Sequence, residues 1–242
     1  MKTVLKCLVG IALFTSVTFA DDVDDALKAY DSGDYTKVVQ LLQRSCDSKR
    51  NFSCFTLGAM YDFGKGVKQD YLQAAELYKK ACDGGETVSC YSLGTLYDGG
   101  NGVKQDYLKA AELYKKACDK GYATGCYSLG LMYDFGNGVK QDYLKTAELY
   151  KKACDGKEID GCYSLGAMHY DGNGVKQDYL KAAEFFKKAC DGKDGGGCYN
   201  LGAIYHNGEG VKKNANKALE YFGKACDLEE QKGCEEVAEL KK

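Results

Sequence analysis

Residues 90–125, CYSLGTLYDGGNGVKQDYLKAAELYKKACDKGYATG, hold the pattern on which the rest of the chain is built. Cys90, Leu93, Gly94 and Tyr97 fall at i, i+3, i+4 and i+7, which is one stripe of a helix. Tyr107, Ala110, Ala111, Tyr114 and Cys118 make a second such stripe. Between them Gly100-Asn101-Gly102 ends the first helix, because these residues reach positive φ at little cost. Val103 is then placed to plug the gap between the helices. Asp106 stands at the N-cap of the second, where a carboxylate accepts backbone N–H bonds and meets the positive helix end.

Working outward, Cys118 and Cys126 form a Cys-x7-Cys pair. It recurs as Cys46/Cys54, Cys82/Cys90, Cys154/Cys162, Cys190/Cys198 and Cys226/Cys234, always at a 36-residue step. Five full units therefore begin at Cys54, Cys90, Cys126, Cys162 and Cys198 and fill residues 54–233. Residues 21–53 read as an atypical first repeat, with helices over Val23–Tyr30 and Tyr35–Cys46 and a break at Ser32-Gly33-Asp34. Residues 234–242 read as a capping helix. Such an array grows by stacking, so one elongated all-α domain is predicted, with unlike terminal units.

Two recurrent positions need a reason. A glycine inside the first helix, Gly58, Gly94, Gly130, Gly166 and Gly202, costs about 1 kcal/mol relative to alanine. A backbone-to-backbone contact between the paired helices is the expected return. Glu76, Glu112, Glu148, Glu184 and Glu220 are read as i, i+4 partners of Lys80, Lys116, Lys152, Lys188 and Lys224. A carboxylate that occurs five times is a surface ion pair, not a catalytic group.

Residues 1–20 carry Lys2 and Lys6, an apolar stretch from Leu8 to Phe14 and a small residue, Ala20, at the expected cut. They read as a signal peptide, too short in apolar length to span a membrane. Cys7 precedes the apolar run and so does not suit a lipid anchor; no membrane anchor is expected after cleavage. Without Lys2 and Lys6, 33 basic side chains become 31 against 35 acidic ones, a formal charge of −4. That argues against nucleic acid or an anionic membrane as partner. Setting Cys7 aside leaves twelve of 13 cysteines, the even number of a disulfide framework in an exported chain. Zinc favours shorter Cys spacings with further ligands nearby, so no metal and no cofactor are expected.

The motifs Leu-Gly-x-x-Tyr, Gly-x-Gly-Val and a helix ending in Lys-Ala-Cys, on a 36-residue period, resemble Sel1-like repeats, relatives of tetratricopeptide repeats. With the Cys-x7-Cys pairs and the signal, the chain resembles the Helicobacter cysteine-rich protein family over residues 46–234. The resemblance implies a right-handed α-solenoid of disulfide-stapled 36-residue helix-turn-helix repeats, secreted or periplasmic. It also implies two competing activities, penicillin binding with slow β-lactamase activity and scaffold binding of proteins or peptides.

Pairing within each Cys-x7-Cys unit uses all twelve cysteines. The rival scheme, Cys90 with Cys118, strands Cys46 and Cys234, while equivalent cysteines such as Cys82 and Cys118 are expected about 10 Å apart, beyond bridging range.

The residues do not spell out the hydrolase. Ser-x-x-Lys, Ser-Asp-Asn and Lys-Thr-Gly are all missing, and the residues three beyond Ser92, Ser128 and Ser164 are Thr95, Leu131 and Ala167. The catalytic residues implied by the resemblance are therefore unassigned. His169 occupies the register of Tyr61, Tyr97, Tyr133 and Tyr205 and reads as a core-facing substitute. His206 occupies the register of Asp62, Asp98 and Asp134 and reads as a rim residue. A solenoid exposes its first helices along a groove. Thr56, Ser92, Ser128, Ser164 and Asn200 form one candidate contact line there, and Asp62, Asp98, Asp134, Tyr170 and His206 a second. The expected function is a monomeric secreted binding protein for a peptide, a protein or a peptidoglycan-like fragment, with β-lactam hydrolysis as the alternative.

Overall fold

The structure, a computed structural model, describes residues 20–242, with side chains from Asp25 onward. The signal segment and Cys7 lie outside the described residues, save Ala20. Thirteen helices and no strands are found among the described residues: α1 (Ala20–Ser32), α2 (Tyr35–Asp47), α3 (Asn51–Phe63), α4 (Tyr71–Asp83), α5 (Thr87–Gly99), α6 (Tyr107–Asp119), α7 (Ala123–Phe135), α8 (Tyr143–Asp155), α9 (Ile159–Asp171), α10 (Tyr179–Asp191), α11 (Gly195–Asn207), α12 (Ala215–Asp227) and α13 (Gln231–Leu240). Two 13-residue helices, a seven-residue loop such as residues 64–70 and a three-residue connector such as 84–86 account for the 36-residue period. Each first helix starts three residues ahead of the cysteine that opens the sequence unit. Its leading turn is set by the short connector, whose tight reversal uses positive φ at Gly85 and Lys157.

The chain forms two compact units that divide after Ala117. In the first, α1 to α5 each pack on the helix before and after. Leu57, Met60, Tyr78 and Leu93 lie in one buried cluster with Ala29 and Val38 of the atypical repeat. In the second, α7 to α13 pack in the same consecutive order. Its buried clusters are centred on Tyr150, Leu165 and Phe185, and on Phe186, Leu201 and Ile204.

The loops follow from their residues. Gly100 caps α5 in the left-handed region at φ 70°, its N–H reaching the Leu96 carbonyl. Gly102, at φ 67°, lies where a Cβ would come within 2.4 Å of the Tyr71 backbone, so a side chain is excluded twice over. Val67, Val103, Val175 and Val211 fold back against the clusters as plugs. Asp70, Asp106, Asp142 and Asp178 cap the second helices; the Lys109 N–H donates to Asp106 Oδ1 at 3.0 Å.

Six disulfides join Cys46 to Cys54, Cys82 to Cys90, Cys118 to Cys126, Cys154 to Cys162, Cys190 to Cys198 and Cys226 to Cys234, with Cα atoms 4.5–4.7 Å apart. Each ties the last turn of one second helix to the first turn of the next helix. The Cys-x7-Cys pairing is thus the observed one.

Two expectations need correction. The recurrent helix glycine does not meet backbone: a Cβ on Gly58, Gly94 or Gly130 would meet the rings of Tyr78, Tyr114 and Tyr150 at 2.7–2.9 Å. The glycine is a seat for an aromatic ring, because the second helix sends a large side chain across the interface rather than bringing its axis closer. The Glu–Lys pairs form at Glu184–Lys188 (3.0 Å) and Glu220–Lys224 (2.7 Å). Lys80 instead reaches Asp47 at 2.9 Å, and Lys116 reaches the Cys82 carbonyl at 3.2 Å and Asp83 at 3.7 Å. The negative C-terminal end of the preceding second helix competes successfully for these lysines. All of these pairs are exposed, so their contribution to stability is small.

Candidate functional site

The first helices carry both candidate lines, but the structure sorts them. Thr56 is buried at 3% exposure, and its hydroxyl donates to the Phe52 carbonyl at 2.9 Å. A ligand cannot reach it, which removes it from the line. Ser92, Ser128, Ser164 and Asn200 are half-buried. Ser92 lies beside the Tyr78 phenol and Ser164 beside that of Tyr127, each opposing the upward push of burial there, while Asn200 Nδ2 donates to Tyr163 Oη at 3.5 Å.

These contacts expose a row that the sequence reading passed over: Tyr91, Tyr127, Tyr163 and Tyr199, the residue after each leading cysteine. Each ring leans on a buried ring of its own repeat, with centroids 5.4–5.7 Å apart for Tyr91–Tyr114, Tyr127–Tyr150, Tyr163–Phe186 and Tyr199–Phe222. The body of the ring is thereby fixed, and the Tyr163 hydroxyl meets Asn200 of the following repeat. The recurrent Cys-Tyr-Ser was the available signal.

The acidic line is partly spent on the fold. The hydroxyls of Tyr78, Tyr114 and Tyr150 donate to Asp62, Asp98 and Asp134 at 3.0, 3.2 and 3.4 Å. Burial pushes the Asp62 carboxyl above the usual carboxylate range, and the Tyr78 bond opposes that. Burial likewise pushes Tyr78, Tyr114 and Tyr150 well above the ordinary phenol range, with the facing aspartate adding to it. In the last two repeats the tyrosine becomes Phe186 and Phe222, and the aspartate becomes Tyr170 and His206. Once the hydroxyl is gone the acceptor is gone too. Tyr170 turns to Glu209 at 2.9 Å and, chiefly by burial, is pushed up to about 12. His206 lies 6.4 Å from the Phe222 ring.

This pairing carries a prediction. Tyr150→Phe and Asp134→Ala should each destabilise the protein, and a double-mutant cycle by chemical denaturation should return a coupling of about 0.5–1.5 kcal/mol. Zero coupling would mean that water replaces the phenol without loss.

His169 takes the tyrosine register as expected: its ring stacks on Phe185 at 5.6 Å and 8° interplanar angle, as Tyr205 does on Tyr221 at 5.8 Å and 6°. Among the described residues no three His, Cys, Asp or Glu side chains are grouped as a metal site. No described helix is long and apolar enough to cross a membrane.

The family model described as Sel1 repeat matches residues 52–86, 87–122, 123–157, 159–194 and 196–229. No curated protein matches the chain. Among solved structures, c5321, a protective antigen present in uropathogenic Escherichia coli strains, is 26% identical with a TM-score of 0.86 over 93% of this chain and 52% of its own. The chain thus spans about half the length of that relative. A Sel1 repeat protein from Oxalobacter formigenes is 23% identical with a TM-score of 0.78 over 84% of each chain, a likeness of fold. Helicobacter pylori cysteine rich protein B is 38% identical over 56% of this chain and 98% of its own, with a TM-score of 0.43.

Proposed function

We propose, for a chain that belongs to the Sel1 repeat family and folds as its α-solenoid repeats do, that the first-helix face binds an extended peptide segment of a partner protein outside the cytoplasm. The observation that carries this reading is the tyrosine row, Tyr127, Tyr163 and Tyr199, each set against a buried ring, with Asn200 bonded to Tyr163. Rigid rings with polar tips supply large contact area at low entropic cost, and hydroxyl and amide groups at repeat spacing suit a peptide backbone. The six disulfides fit an oxidising compartment. The apolar segment after Lys2 and Lys6 would route the chain there, periplasmic or secreted, as a monomer.

Screening the oxidised protein against a peptide array and then measuring affinities of the hits by calorimetry tests this. Tyr163→Ala and Asn200→Ala should each weaken binding by about 1–3 kcal/mol, because each leaves a partner group unpaired. Thr56→Ala should leave affinity unchanged. Nitrocefin hydrolysis measured in parallel covers the β-lactamase chemistry implied by the resemblance. Were one of Ser92, Ser128 or Ser164 to abolish hydrolysis by orders of magnitude in a folded, oxidised protein, the binding reading would fall.

A further inference from the structure

Away from the first-helix face, the second unit holds a cleft of about 420 Å³ between α8 and α10, floored by α9. Its size is within the range of small-molecule sites. The repeat departs from its pattern here. In the same register Tyr133 and Tyr205 carry a phenol ring beneath Lys145 (5.0 Å) and Lys217 (4.7 Å). His169 supplies a shorter ring, laid flat on Phe185, and lines the cleft.

The floor is apolar, made by Ala147, Leu165, Val175 and Phe185 around the His169 ring. Charges of both signs stand on the two walls. Lys151 is taken by Asp155 at 2.5 Å and Lys188 by Glu184 at 3.0 Å. What remains is Glu148 on the α8 wall, with no ion-pair or hydrogen-bond partner among the described residues. Opposite it, on the α10 wall, Lys181 holds only a 4.0 Å contact to Asp178. The His169 Nδ1 atom is also buried without a partner.

A ligand that suits these walls has an apolar body, an ammonium group for Glu148 and a carboxylate for Lys181. The walls belong to equivalent helices of adjacent repeats, and the apolar floor separates them. A free amino acid carries both charges on one carbon and has no apolar body between them. A dipeptide carries them at opposite ends. We propose that this cleft binds short zwitterionic peptides, of dipeptide size, with an apolar or aromatic side chain.

The test uses the full oxidised protein and phenylalanyl-alanine as probe, followed by NMR titration. Contacts of this number support a Kd of about 0.1–1 mM for a ligand of that size. Phenylalanine alone, and the dipeptide with both ends blocked, should bind about tenfold or more weakly. Glu148→Gln, an exposed substitution, should weaken binding of the free dipeptide several-fold, toward that of the blocked one. His169→Tyr restores the residue that other repeats carry; it should fold, as judged by circular dichroism, and lose the binding. Saturation by the blocked dipeptide as readily as by the free one overturns the proposal. So does binding that survives in both His169→Tyr and Glu148→Gln.

Discussion

Full reduction of the six disulfides is expected to remove most of the helical circular dichroism at 37 °C. Each bridge spans a sequence separation of eight and so closes a loop of nine residues. On the chain-entropy account such a loop is worth about 2.5 kcal/mol, or about 15 kcal/mol for six, an upper figure. A domain's entire stability is about 5–15 kcal/mol. The packing it must be set against is thin. Alanines 74, 81, 110, 117, 153, 182, 189, 218 and 225 sit fully buried at the helix interfaces, and few large rings, such as Tyr78, Phe186 or Phe222, cross them. Alanine contacts bury little apolar area, so the bridges decide the balance. The removal of a single pair, Cys154→Ser with Cys162→Ser, should lower stability by about 2–4 kcal/mol and should loosen the two adjacent repeats first, read by amide exchange. Unchanged helicity and melting after reduction, with free thiols verified, would show that packing suffices.

The repeat frame was legible because its determinants are local. A 36-residue step, an aspartate before each second helix and glycines after each first helix act within a few residues of themselves, and the caps at Asp106 and Gly100 came out where they were placed. What acts between helices was harder to read. Periodicity assigns Gly94 to the buried stripe but does not say that the partner atom belongs to a ring 20 residues on, Tyr114. The Asp98–Tyr114 pair, 16 residues apart, shows only when two registers are compared, since the carboxylate and the phenol hydroxyl disappear together at Tyr170/Phe186 and His206/Phe222. Thr56 was misplaced for a related reason. Its register is that of Ser92, yet residues 53–60 of α3 are buried throughout, where the atypical first repeat packs on that helix. A repeat pattern carries over what each unit does to itself and omits what a terminal unit does to its neighbour. His169 was read correctly as a tyrosine substitute, but the open volume beside it depends on what surrounds the missing phenol.

Gly130→Ala should destabilise the protein, whereas Gly223→Ala should stabilise it, although both glycines lie inside helices. The intrinsic term favours alanine at both by about 1 kcal/mol. At Gly223 nothing stands within 4 Å of the added Cβ, so that term is realised in full. At Gly130 the Cβ would come within 2.7 Å of both Cδ1 and Cε1 of Tyr150 and 3.4 Å of Leu149 Cβ. The Tyr150 ring is 2% exposed and leans on Tyr127 at 5.4 Å, so it has no free direction in which to retreat. Overpacking of that kind costs about 1–3 kcal/mol, enough to outweigh the helical gain. Gly130→Val adds two further carbons against the same ring and should cost about 3 kcal/mol or more, placing it among the most damaging single substitutions. Trimming the ring should relieve it: Gly130→Ala combined with Tyr150→Leu is expected to be more stable than the sum of the separate losses, in denaturant melts of all four proteins. Strict additivity, or a stabilising Gly130→Ala, would show that the glycine is not there to seat the ring.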